Sequence, residues 1–110
     1  MSSKPVSQMV TVFRSRLRAD AGADYARTAE EMERLARAIP GFVDFKQFVA
    51  DDGERVSVIT FASQAAHDAW RDDPRHRVAQ QRGRDHWYAE YRIQVCELVA
   101  ERTFVAHADD

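Results

Sequence analysis

A chain of 110 residues with 45% apolar and 31% charged positions has room for one globular domain and no second. Its 16 basic and 18 acidic side chains leave a net charge of −2 with the signs interspersed, so no basic stripe is available for phosphates and nucleic acid is excluded as a partner. No apolar run approaches the roughly 18 residues needed to cross a bilayer, no secretory core stands near Met1, and the single Cys96 cannot form an intramolecular bridge. The expected location is the cytoplasm, with Cys96 as a buried, inert thiol.

Residues 1–8 read as a flexible N-terminus, residues 9–104 as the folded domain, and residues 105–110 as a flexible C-terminus. A strand is predicted over 9–18, with Met9, Phe13 and Leu17 on one side and Val10 and Val12 on the other. A helix follows from Gly22 to Ile39. Tyr25, Ala29, Met32, Leu35, Ala36 and Ile39 recur on it at three- and four-residue steps, and Glu33 stands four before Arg37 for a pair worth about 0.3 kcal/mol. Pro40-Gly41 stops the helix, because proline disfavours helical geometry in the residue before it.

From Gly41 to Phe61 two apolar runs are joined by Asp52-Gly53, a pair that suits a two-residue type I′ hairpin with positive φ at both positions. Ser63 is a good N-cap for a helix carrying Ala66, Ala69 and Trp70 inward, and Asp73-Pro74 starts a further helix predicted to run from 74 to about 87. Gly83 in its middle costs about 1 kcal/mol relative to alanine. Close packing explains such a glycine, and so does a helix lining a polar-edged cavity. The last strand is predicted over 89–100, setting Ile93, Val95 and Val99 against Cys96 and Leu98.

The order strand, helix, strand, strand, helix, strand predicts an α+β fold: a ferredoxin-like split βαβ with an antiparallel four-stranded sheet. Both faces of that sheet carry apolar residues, and the chain's own helices cover one. A homodimer with two sheets face to face would cover the other.

The run Pro40-Gly41-Phe42, the hairpin Asp51-Asp52-Gly53-Glu54, Ser63 through Ala69-Trp70-Arg71, Pro74-Arg75-His76-Arg77, Ala79-Gln80, Gly83-Arg84 and Tyr91-Arg92-Ile93-Gln94-Val95 together resemble the antibiotic biosynthesis monooxygenase (ABM) family over residues 9–98. The resemblance implies a dimeric α+β barrel with a pocket between each sheet and its helices. It also implies one of two chemistries, oxygenation of phenolic polycyclic substrates without flavin or metal, or haem degradation. In the haem-degrading branch the helix Trp matches Trp70, but the axial His falls on Gln80 and the first-strand Asn near Ser15. His76, one turn before Gln80, is a ligand only in a shifted register.

The expected function is therefore cofactor-independent monooxygenation of a hydrophobic phenolic or polycyclic aromatic substrate by molecular oxygen, in secondary metabolism. The alternatives are a haem-degrading relative and a non-catalytic small-ligand-binding or regulatory dimer. Oxygenation without a cofactor needs an apolar cavity, a proton acceptor and a donor for the developing oxyanion. His76 is the candidate acceptor, Trp70 the candidate aromatic wall, and Tyr88 and Tyr91 are candidate hydroxyl donors. Arg14 and Arg92 interrupt apolar alternation, so each is either a substrate-binding cation or half of an intermolecular salt bridge. His67, His86 and His107 show no ligand spacing with carboxylates or Cys96, and no glycine-rich phosphate loop is present, so neither metal nor nucleotide is expected.

Overall fold

The structure is a computed structural model that describes residues 6–107. Its elements are β1 (Met9–Leu17), α1 (Gly22–Ala38), β2 (Phe42–Val49), β3 (Arg55–Phe61), α2 (Gln64–Arg71), α3 (Pro74–Arg82), a π-helical turn (Gly83–Trp87) and β4 (Tyr88–Glu97). The four strands form one antiparallel sheet in the order β2-β3-β1-β4. This is the predicted ferredoxin-like α+β architecture, with β3 inserted between the two strands that α1 connects.

The helix boundaries follow from local chemistry. Gly22 and Gly41 flank α1 with φ of +73° and +94°, conformations open to glycine at no steric cost. Ser63 Oγ accepts from Ala66 N at 3.1 Å, and Asp73 Oδ1 accepts from Arg75 N at 2.8 Å, so α2 and α3 each begin on a side-chain cap. Glu33 and Arg37 pair at 2.8 Å on the outer side of α1.

Three predicted details differ. The hairpin is not type I′: Gly53 N donates to Ala50 O at 2.9 Å and Ala50 N to Glu54 O at 2.8 Å, and of the two central residues predicted, Gly53 alone has positive φ. Asp52 instead keeps an ordinary backbone and accepts from Glu54 N at 3.0 Å through its side chain, the local bond that favours Asp in turns. The last helix ends at Arg82 and widens into the π-helical turn. Finally, β4 stops at Glu97, and residues 98–107 continue without helix or strand, with Val99, Phe104 and Val105 largely exposed. The predicted flexible ends fall partly on residues 1–5 and 108–110, outside the described residues. Within them, Leu98 N donates to Gln8 O at 2.9 Å and Ser7 Oγ to Glu97 Oε1 at 2.7 Å.

The core lies between the helices and one sheet face, where Ile59 and Phe61 of β3 meet Ala36 of α1 and Ala66 and Trp70 of α2. Leu35, Ile39, Phe42 and Phe45 pack against that cluster. The opposite face presents Val10, Val12, Val56, Val58 and Phe48, with Phe48 49% exposed. Cys96 belongs to that face and is exposed, which corrects the expectation of a buried thiol. The cause is its position on the edge strand β4, on the side that no helix of this chain covers.

Candidate functional site

Between the sheet and the three helices lies a cavity of about 480 Å³, within the range typical of small-molecule sites. The amphipathic stripe of α1 divides to form it. Its C-terminal part, Leu35, Ala36 and Ile39, packs in the core, whereas Tyr25, Ala29 and Met32 face the cavity. The floor is made by Thr11 and Phe13 of β1, Ser57 and Ile59 of β3, and Tyr91, Ile93 and Val95 of β4.

The Ser63 cap fixes the phase of α2, so His67 and Trp70, three residues apart, share its inward face, 4% and 8% exposed. The Asp73-Pro74 start then turns α3 so that His76, in its first turn, comes back onto Trp70 with ring centroids 4.2 Å apart. His76 Nδ1 makes a long contact of 3.5 Å with the carbonyl of Arg71, one of those that the end of α2 leaves unpaired. A carbonyl only accepts, so Nδ1 carries the proton and Nε2 is the bare acceptor of the neutral ring. Burial pushes the His76 imidazole below its ordinary pKa, with His67 adding in the same direction and the Arg71 carbonyl and Asp73 opposing. The ring is therefore neutral at pH 7.

His67 sits differently. Its Nδ1 lies 3.0 Å from Asp68 Oδ1, and the same carboxylate oxygen meets Arg71 Nη1 at 3.1 Å. All four side chains, His67, Asp68, Arg71 and His76, line the cavity.

At the other end the π-helical turn places Trp87 and Tyr88. Arg18, just past β1, donates to the carbonyls of Arg84, Asp85 and Tyr88 at 3.0 to 3.1 Å, so one guanidinium satisfies the carbonyls that the turn leaves free. Gly83 is needed there for space: a Cβ at this position would lie 2.8 Å from Tyr88 Cδ2 and closer still to Cε2. Both explanations for Gly83 apply: it packs closely on Tyr88, and the helical segment that carries it lines the cavity through His76, Ala79, Gln80 and Arg84. The Tyr88 ring meets Phe13, Tyr91 and Tyr25 at 5.4, 5.7 and 5.8 Å. Burial, reinforced by the Tyr25 hydroxyl, pushes the Tyr88 phenol well above its ordinary pKa, so it is a hydrogen-bond donor at any working pH.

Two buried polar atoms have no hydrogen-bond partner among the described residues, Thr11 Oγ1 and Trp70 Nε1, and both residues line this cavity. An orphaned buried donor is costly unless something polar meets it.

His76, Trp70, Tyr88 and Tyr91 thus share one cavity. Arg14 and Arg92 do not. They lie opposite each other in the β1–β4 register, on the face turned away from the helices, and neither lines the cavity. Arg14 pairs within its own chain, its Nη2 2.7 Å and its Nε 3.0 Å from Glu54 Oε1. The residues that sequence reasoning passed over are His67, Asp68 and Thr11. His67 was legible as a face-mate of Trp70, whereas its contact with Asp68 joins adjacent residues and leaves no spacing signature.

The sequence and the fold are both matched by known proteins. The family model for antibiotic biosynthesis monooxygenase matches residues 9–82. The chain belongs to that family. YqjZ of Bacillus subtilis (strain 168) is 29% identical over 110 residues, covering 100% of this chain and 96% of its own. Among solved structures, Rv0793 of Mycobacterium tuberculosis superposes with a TM-score of 0.77 at 20% identity, covering 88% of this chain and 100% of its own. SnoaB of Streptomyces nogalater, a cofactor-independent oxygenase, gives a TM-score of 0.71 at 14% identity, covering 89% and 97%. Identities this low carry the fold and leave the chemistry of this ABM chain to its own residues.

Proposed function

We propose that this ABM protein is a cofactor-independent monooxygenase for a hydrophobic phenolic or polycyclic aromatic substrate. The observation that carries the reading is a largely apolar cavity between sheet and helices in which the neutral His76 lies against Trp70, beside Tyr88 and Tyr91. A flat aromatic ligand fits the walls of Trp70, Phe13, Tyr88 and Tyr91. In such a reaction the phenol gives up its O–H proton to an imidazole and its anion reduces O₂. One oxygen atom enters the substrate carbon, and the other leaves as water with the two displaced hydrogens.

Haem suits this wall less well. The position that the resemblance assigns to an axial histidine is Gln80, a cavity-lining amide and a poor iron ligand. The sheet face that no helix covers, with half-buried Val10, Val12, Val56 and Val58 beside the exposed Phe48, supports a homodimer of barrel form as the working unit. The exposed Cys96 thiol suits the reducing cytoplasm. Among the described residues no helix is long and apolar enough to cross a membrane.

The test is oxygen uptake by the purified protein with a hydroxylated anthracene or naphthacene, in the presence of a chelator and without flavin or reduced nicotinamide. Uptake with conversion to the quinone is expected. Activity that appears only with added iron or flavin refutes the cofactor-free route.

A further inference from the structure

The two cavity histidines are not equivalent, and the difference assigns the proton transfer. Resting on the oxygenase reading, we propose that the base that removes the substrate's hydroxyl proton is His67, positioned by Asp68, and that His76 serves as a neutral hydrogen-bond partner of the bound ring.

A base must accept a proton on a nitrogen that faces the ligand and must tolerate the charge that results. His67 lines the cavity and has a carboxylate at hand for that charge. Its Nδ1–H donates to Asp68 Oδ1 at 3.0 Å, which fixes the tautomer with Nε2 as the acceptor and sets a carboxylate beside the imidazolium that forms. The ring is itself held, 4% exposed and edge-on to Phe61 at 6.2 Å, so Nε2 does not wander. Asp68 is anchored by Arg71 at 3.1 Å, which leaves a His, Asp and Arg chain running from the cavity wall to its rim.

His76 has a bare Nε2 too, but its Nδ1–H meets only a peptide carbonyl, at 3.5 Å, and its ring lies against Trp70. A carbonyl dipole offsets a new positive charge far less than a carboxylate does. The charged groups around this pair come from α2 and α3, namely Asp68, Arg71 and Asp73. Only the first of these is hydrogen-bonded to an imidazole.

The step balances. The phenolic O–H bond breaks, the proton passes to His67 Nε2, and the electron pair stays on the aromatic anion. That anion combines with O₂ to give a ring-carbon peroxide, His67 returns its proton to the distal oxygen, and loss of water across the C–H and O–O bonds leaves the new carbonyl. The dyad ends as it began.

The experiment uses 2-naphthol, whose neutral and ionised forms absorb at different wavelengths, titrated with pH while bound to the full chain. On the wild type the bound naphthol should ionise at least tenfold more readily than in water. Asp68→Asn, nearly isosteric, should remove most of that gain among the molecules that bind, and His67→Gln should remove all of it. His76→Gln should weaken binding yet keep the gain among the molecules that bind. A gain that survives Asp68→Asn and His67→Gln but is lost in His76→Gln overturns the assignment of the base alone and returns the role to His76. Binding with no gain in the wild type also overturns it and leaves a ligand-binding cavity. No binding by any variant refutes the cavity reading and this one with it.

Discussion

Replacing Gly83 by alanine tests whether the π-helical turn is built to seat Tyr88 against the cavity. Gly83 has helical backbone angles, φ −60° and ψ −47°, so intrinsic propensity alone predicts that alanine stabilises the chain by about 1 kcal/mol. The contact predicts the opposite. Carbon atoms pack at about 3.5 to 4.0 Å, and the new Cβ would stand 2.8 Å from Tyr88 Cδ2, so the ring must retreat by about an ångström. It has little room to do so, because Phe13, Tyr25 and Tyr91 back it within 6 Å and Arg18 pins the carbonyl of Tyr88 itself at 3.1 Å. Overpacking of this kind costs about 1 to 3 kcal/mol. The net expectation is a loss of up to about 2 kcal/mol, seen as a lower urea midpoint with an unchanged m value, together with weaker binding of 2-naphthol as the ring moves toward the ligand. In a Tyr88→Ala background the same change should become stabilising, since the obstacle is gone. A Gly83→Ala protein that is more stable than wild type refutes the contact and leaves propensity in charge.

Trp70→Phe keeps an aromatic ring against Phe61 while removing Nε1–H. It should cost under about 1.5 kcal/mol in urea melts, whereas Trp70→Ala should cost about 3 to 5 kcal/mol. A loss for Trp70→Phe as large as for Trp70→Ala would show that a second ring cannot replace the indole in the core. The folded-state pKa of His76 lies below its unfolded value of about 6.5, so the unfolded chain binds the extra proton and stability falls as pH drops through that value. The urea midpoint should therefore decline from about pH 7 to about pH 5 more steeply in wild type than in His76→Gln, and equal slopes would mean that burial does not hold His76 neutral. Light scattering at micromolar protein should return twice the 12.6 kDa chain mass, and a stable monomer would refute the proposed dimer.

The parts of the fold that were legible are those decided by neighbours in sequence. Ser63 and Asp73 cap because their side chains reach a backbone N–H two or three residues on, and Pro40-Gly41 ends a helix by its own backbone restrictions. What was not legible depends on partners far along the chain. The π-helical turn after Arg82 is held by Arg18, more than sixty residues earlier. Asp68 escaped notice for a different reason. Adjacent residues on a helix normally point apart, so a His-Asp contact between neighbours is a rotamer choice that no periodicity reports.

Arg14 shows how far face assignment by alternation can go. Its parity with Val10 and Val12, against Phe13, was readable from the sequence, and the structure keeps it. The undecided matter was which face the helices cover, because both carry apolar residues. Side-chain size resolves it once the cavity is known. The helix-facing floor alternates large with small polar side chains, Thr11, Ser15 and Ser57 among Phe13, Ile59 and Ile93, and a floor of that kind leaves volume above it. The other face is paved with Val10, Val12, Val56 and Val58, branched residues that make an even surface suited to a second sheet. A ligand site needs missing volume, whereas a sheet-to-sheet interface needs uniform volume. On that criterion Arg14 and Arg92 belong with the face suited to a second sheet, and the two buried histidines with the cavity.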